Sequence, residues 1–191
     1  MAALGGINVD QVRYAPSGHV YFAPTGSAAP TDATTALTTA WYDVGYIDED
    51  GVSITPTVDL GDVRAWQTAA RLKRTVNSVD FEVAFKMMQV NKTVLSTYFF
   101  GGATTQLAAG GSKMDLPSNI TISALTVALV VDWTDDVGAA NRFYFPRGIL
   151  GDREVFQLMR TDNVKPGLTY SVNDFNGSFG SHFSNNLDLY S

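Results

Sequence analysis

Side chains with reactive chemistry are few in this sequence, and they are scattered. The two histidines, His19 and His182, stand near opposite ends of the chain. A Ser-His-Asp site needs an imidazole between a hydroxyl and a carboxylate, and no G-x-S-x-G elbow is there to present the serine. Hydrogen-bonded or surface histidines account for both. Gly110-Gly111-Ser112-Lys113 has the small residues and lysine of a phosphate-cradling loop. Ser precedes Lys, however, and no strand-loop-helix frame surrounds it, so it reads as a flexible loop. Asp48-Glu49-Asp50-Gly51 gathers carboxylates at a turn. A calcium loop needs more oxygen ligands at fixed spacing and a closing glutamate, which leaves a solvated hairpin tip as the better reading. Asn91-Lys92-Thr93, Asn119-Ile120-Thr121 and Asn176-Gly177-Ser178 match the glycosylation triplet, which has meaning only on a secretory route. With no cysteine in the chain, disulfides, thiolate nucleophiles and Cys-based zinc sites drop out together. No catalytic residue, metal site or cofactor is assigned, and the chain is not read as an enzyme.

Charge is more informative than reactivity. Residues 1–62 carry eight acids and one base, residues 63–92 six bases and two acids, and the whole chain is −6. Overall acidity argues against tight binding of a nucleic acid backbone. The basic segment contains Arg64, Arg71, Lys73 and Arg74 around a tryptophan, Trp66. It reads either as a solvated stretch balanced by its neighbours or as a surface matched to acids on another copy.

The elements that must carry these residues are mostly strands. A chain of 191 residues fits one domain with a proper core. Residues 1–17 look like a flexible arm, Gly18–Pro24 like a first strand, and residues 25–40 like a surface loop without core-building residues. Tyr42, Val44 and Tyr46 alternate before the Asp50-Gly51 turn, and Val52 and Ile54 alternate after it. Residues 56–74 lack sustained alternation, and Pro56, Gly61 and the charges predict an extended loop. From Val76 to Met88 one face carries Val79, Phe81, Val83, Phe85 and Met87, while Asp80, Glu82 and Lys86 form the other. Asn91 is a good N-cap for a short helix bearing Val94, Leu95, Tyr98 and Phe99, ended by Gly101-Gly102.

Beyond the helix, Ala103 to Pro117 reads as a small-residue loop and Ile120 to Trp133 as a long strand. That strand is apolar at both parities from Ala128 to Val131, hence covered on both sides. Arg142–Pro146, Glu154–Arg160, Leu168–Val172 and a last stretch near Leu187–Tyr190 read as further strands. The fold class is mainly β, a sandwich or partly rolled barrel with one short flanking helix. No secretion signal stands at the N-terminus, and the longest apolar stretch is too short to span a bilayer, so a soluble, cytoplasmic subunit without membrane contact is expected.

The order from Trp41 to Gly102 (strand, acidic turn, strand, long polar stretch with Ala65-Trp66-Gln67, alternating strand, capped helix) resembles the major tail protein of long-tailed bacteriophages. The similarity runs over about residues 18–175. It implies a single tail-tube domain over 1–191 whose sandwich assembles into hexameric rings. One sheet of each subunit would join a continuous β-barrel around a lumen, and the rings would stack into a tube. Thr57–Thr75 would be a long loop reaching an adjacent subunit, with Trp66 as anchor and Arg64, Arg71 and Arg74 meeting carboxylates there. Asp80 and Glu82 would line the lumen, where net-negative charge lets double-stranded DNA pass without specific binding. Lys86, on the same parity, sits less well with that role. The N-terminal arm, 1–17, and the C-terminal arm, 176–191, would bridge neighbours. The resemblance also implies a tape-measure protein, a tail terminator and tail-tip proteins as partners, and the virion tail as location, with assembly in the host cytoplasm. Two rival readings are the tube protein of a contractile injection system and a monomeric β-sandwich carbohydrate-binding or adhesion module of a phage tip.

Overall fold

A computed structural model describes residues 7, 9–108 and 110–186. The strand expected near Leu187–Tyr190 and the outer parts of both terminal arms lie outside the described residues. The strands are β1 (Ser17–Pro24), β2 (Tyr42–Asp43), β3 (Ile47–Ala65), β4 (Thr68–Met87), β5 (Thr104–Gln106), β6 (Ser112–Met114), β7 (Thr126–Thr134), β8 (Ala140–Arg153), β9 (Gly167–Val172) and β10 (Ser181–Ser184). The helices are α1 (Lys92–Tyr98) and a single turn, α2 (Ile122–Leu125). One antiparallel sheet has the order β2-β1-β7-β8-β9-β4-β3, with β10 attached to β8, while β5 and β6 form a separate ribbon.

The sheet closes over itself. Three strands separate β1 from β4 in the sheet order, yet the rings of Phe22 and Phe85 lie 5.9 Å apart. Val20, Phe22, Val83, Phe85, Leu129 and Tyr170 share one buried cluster. Such contact between distant strands requires a rolled sandwich, as the alternating sequence predicts. Tyr170 is fully buried, its hydroxyl donates to the Val127 carbonyl at 2.9 Å, and burial pushes its phenol far above the usual range. Gly148 lets β8 and β9 approach there, since a Cβ would stand 2.6 Å from the Ser171 carbonyl oxygen.

Residues 128–131 are buried on both faces. Leu129 and Val131 face the main cluster, whereas Ala128 and Val130 pack with Ala23, Trp41 and Leu37. The 25–40 loop therefore contributes to a second small core, contrary to the sequence reading. Leu37 and the Trp41 indole, donating to Ala28 O at 3.2 Å, supply it. Arg142 pins that loop: it makes two 2.7 Å bonds to Asp132 and donates to the carbonyls of Asp32 and Thr35. The Asp32 carboxylate accepts from Thr35 and Thr34, which hold it well below the usual carboxylate range.

Helix α1 starts as its sequence dictates, with Asn91 Oδ1 accepting from Val94 N at 2.9 Å. Val94 and Tyr98 are buried, and Arg153 donates to the Tyr98 carbonyl at the helix end. Several expectations are corrected here. The stretch 154–160 is not a strand: Phe156 packs in tilted contact with the rings of Tyr98 and Phe99, with centroids 5.3 and 5.4 Å apart. The 103–117 loop contains the β5–β6 ribbon, where Lys113 pairs with Asp115 at 2.6 Å. The strand expected from Ile120 begins only at Thr126, after α2. Asp50-Gly51 is not a hairpin turn. Strand β3 runs straight through it with a bulge between the Ile47 and Val52 pairings, and Gly51 has φ +72°. Asp48 is buried there and paired with Lys165 at 3.2 Å.

Candidate assembly surface

Strands β3 and β4 are 19 and 20 residues long and pair along nearly their whole length. Only the root of this hairpin belongs to the sheet. Strand β9 pairs with β4 from Phe81 to Lys86 and stops, so from about residue 55 to residue 80 the hairpin projects as a two-stranded arm. Almost every residue of the arm is exposed. The long loop expected over Thr57–Thr75 is thus the distal part of a β-hairpin. Trp66 and Gln67 form its turn, and Trp66 is 99% exposed.

Pairing fixes which side chains share a face. Ile54, Pro56, Val58, Leu60 and Asp62 on β3 stand opposite Val83, Phe81, Val79, Val76 and Arg74 on β4, with Arg64 opposite Arg71. Cross-strand partners lie on the same side of a ribbon. One face of the arm is therefore an apolar strip that continues the buried cluster outward through Val58/Val79 and Leu60/Val76. It ends in a charged group near the tip. The opposite face carries Thr55/Glu82, Thr57/Asp80, Asp59/Ser78 and Val63/Lys73. Val58, Leu60, Val76 and Val79 are 52, 45, 61 and 39% exposed. Enclosing these four would remove on the order of 300 Å² of apolar surface, worth roughly 7 kcal/mol.

The charged group is a convergence of three cations on one anion. Arg71, Arg74 and Arg64 lie 2.8, 3.5 and 3.6 Å from the Asp62 carboxylate. One carboxylate cannot neutralise three guanidinium groups, so the cluster keeps a positive surplus. The sequence-predicted residues Trp66, Arg64, Arg71 and Arg74 are brought together at the outer end of the arm. Asp80 and Glu82 lie apart from them on its polar face, where the Ser78 hydroxyl donates to Asp80 at 2.9 Å. Sequence reasoning missed the apolar strip and Asp62. Val58 and Leu60 alternate visibly, but their partners Val79 and Val76 are three residues apart, a spacing that the strand accommodates by a register shift in which Asn77 has no residue opposite it.

Both arm edges beyond the β9 pairing lack a strand partner among the described residues. Long open edges invite pairing with another chain. Elsewhere, His19 Nδ1 lies 3.1 Å from Asp43 on the exposed β1–β2 edge. His182 packs 4.3 Å from the Phe143 ring, and burial pushes its imidazole down. Among the described residues no group of three or more His, Asp or Glu is arranged to hold a metal ion.

The family model for phage tail tube protein matches residues 5–181. No curated protein matches the chain.

Proposed function

This chain belongs to the phage tail tube protein family and is a structural component of the tail, and from that premise we propose how it builds the tube. Its subunits form hexameric rings, and the rings stack into the conduit through which the genome leaves a long, non-contractile tail. It has no catalytic role. The observation that carries the reading is the amphipathic arm. An apolar strip continuous with the core, flanked by open strand edges, costs a solitary subunit stability and solubility, and enclosure by neighbouring copies removes both costs.

The two faces of the arm then divide the work. The apolar strip packs on an adjacent subunit, with Trp66 and the Arg64, Arg71 and Arg74 cluster making the outermost contacts. The opposite face, with Asp59, Asp80 and Glu82 against Lys73 and Lys86, borders the lumen. Its net-negative charge repels the phosphate backbone, so double-stranded DNA slides instead of sticking. Ser181–Ser184 of the expected 176–191 arm pair with β8 inside the subunit as β10, so the N-terminal arm, residues 1–16, is the segment that ties neighbours together. A tape-measure protein inside the growing tube, a terminator at its end and tip proteins complete the assembly, which takes place in the host cytoplasm.

Negative-stain electron microscopy with light scattering on the same sample tests this. Six-fold rings and stacked tubes are expected, and combining Trp66→Ala with Arg71→Glu should leave fewer and shorter stacks. A protein that stays strictly monomeric at high concentration, even with tail-tip complex added, would overturn the proposal and favour a monomeric binding module.

A further inference from the structure

A cleft of about 890 Å³ opens at the root of the arm, between β3 and the β1–β7 side of the sheet. Ile47, Val52 and Ile54 line one wall, and Val131, Trp133 and Phe143 line the other. Its remaining lining includes Asp43, Asp48, Glu49 and Asp132. Two of these acids have strong cations of their own: Lys165 lies 3.2 Å from Asp48, and Arg142 lies 2.7 Å from Asp132. Arg13, the lining arginine, lies 3.4 Å from Asp135. Asp43 faces the exposed His19, and Glu49 has no ion pair among the described residues. The mouth is therefore apolar inside and negative at its rim.

The arm tip has the complementary character. Trp66 stands free in solvent, flanked by Arg64 and Arg71, whose side chains are 64 and 40% exposed and share Asp62 with Arg74. Cavities of roughly 300–1,000 Å³ enclose ligand-sized groups, so one indole and a flanking guanidinium fit. The tip cannot reach the cleft of its own subunit. Ten residues of β3 from Thr55 to Ala65 carry it roughly 33 Å outward on a paired ribbon.

We infer that the Trp66 tip of one copy seats in the cleft at the arm root of a second copy, with Arg64 and Arg71 against Asp43 and Glu49. This rests on the tube reading above and names the acceptor for the arm. Because donor and acceptor are different surfaces, the contact is heterologous and propagates in one direction, from tip to root, as stacking requires.

The absence of cysteine in the chain makes the test clean. Gln67→Cys and Tyr46→Cys, the latter at an exposed position of the cleft lining outside the proposed ion pairs, are introduced singly, mixed and oxidised under assembly conditions, with electron microscopy in parallel. The mixture should give a disulfide-linked heterodimer. The chain carrying both substitutions should give a ladder of covalent multimers. Adding Trp66→Ala to the Gln67→Cys chain should cut the heterodimer yield at least tenfold. Tubes without the heterodimer, or cross-links joining Gln67→Cys to itself, would overturn this inference and leave the tube reading standing. Neither tubes nor cross-links would overturn both. A chain that forms the internal 46–67 disulfide as a monomer would show the tip seated on its own root and also overturn it.

Discussion

Replacing Leu60 and Val76 together by threonine should separate assembly from folding. The two are partners across the arm, 45 and 61% exposed in the single subunit. They present on the order of 170 Å² of apolar surface, roughly 4 kcal/mol if an adjacent copy encloses them. Threonine keeps the β-branched strand preference and about half of that surface, so about 2 kcal/mol is lost there. Each hydroxyl enclosed without a partner adds roughly 1–3 kcal/mol. The sum is a loss of about 4 kcal/mol or more per contact, which raises the concentration needed for assembly by at least about a thousandfold, at about 1.4 kcal/mol per factor of ten. The subunit itself should be indifferent, because substitutions at exposed sites usually stay within about 0.5 kcal/mol, which is about 1–2 °C in melting temperature for a chain of this size. Light scattering against concentration reads the first effect and a thermal melt of the dilute subunit reads the second. Assembly at the wild-type concentration would refute the argument that the strip is an interface. A fall in melting temperature of about 5 °C or more would refute the claim that the strip is uncovered in the subunit.

Arg142→Met leaves Asp132 without its partner and releases the carbonyls of Asp32 and Thr35. Breaking so enclosed a pair costs about 3–5 kcal/mol, so the melting temperature should fall by about 10 °C. Limited proteolysis within residues 25–40 should also accelerate. Asn91→Ala removes the side-chain cap of α1 and should cost about 1 kcal/mol, or 2–4 °C in a thermal melt. Two groups contribute to the acid limb of stability, read by urea unfolding at a series of pH values. Burial lowers the His182 pKa from 6.5, so the unfolded chain binds the proton first; stability is full above about pH 6.5 and declines below it, and His182→Gln should flatten that decline. Bonds from Thr35 and Thr34 lower the Asp32 pKa from 3.8, so its contribution is present above that pH and lost beneath it, a slope that Asp32→Asn should remove.

What could be read from the sequence follows a physical division. Where local pattern and tertiary environment agree, the reading holds: Val83, Phe85 and Met87 face the core, Asn91 caps its helix, and Ala128–Val131 is covered on both sides. The arm escaped because its strand signal is broken by features that an edge ribbon tolerates. Pro56 lacks an amide donor, yet β3 has a strand on one side only. Register shifts between Asp59 and Ala65 also defeat a strict period of two. Glu154–Arg160 failed in the opposite sense, since its apolar residues fit a strand but the aromatic cluster on α1 draws Phe156 away. Of the assembly surface, Trp66 and its arginines stood out by residue type. The apolar strip could be seen only once Val58 was placed opposite Val79 and Leu60 opposite Val76.

A ribbon of two strands coils more tightly than a broad sheet. Along the arm, side chains that belong to one face by pairing therefore do not point in one direction. The strip at Val58 and Val79 and the Asp62 cluster further out are rotated about the arm axis, as grooves are along a drill bit. A single flat neighbour cannot touch both. In the tube proposed above, the inner strip would meet a lateral neighbour within the ring and the outer cluster the next ring. Lesions at the two levels should accordingly arrest the tube at different stages: Leu60 and Val76 substitutions before rings close, Trp66 and Arg71 substitutions after closure, with intact rings left unstacked.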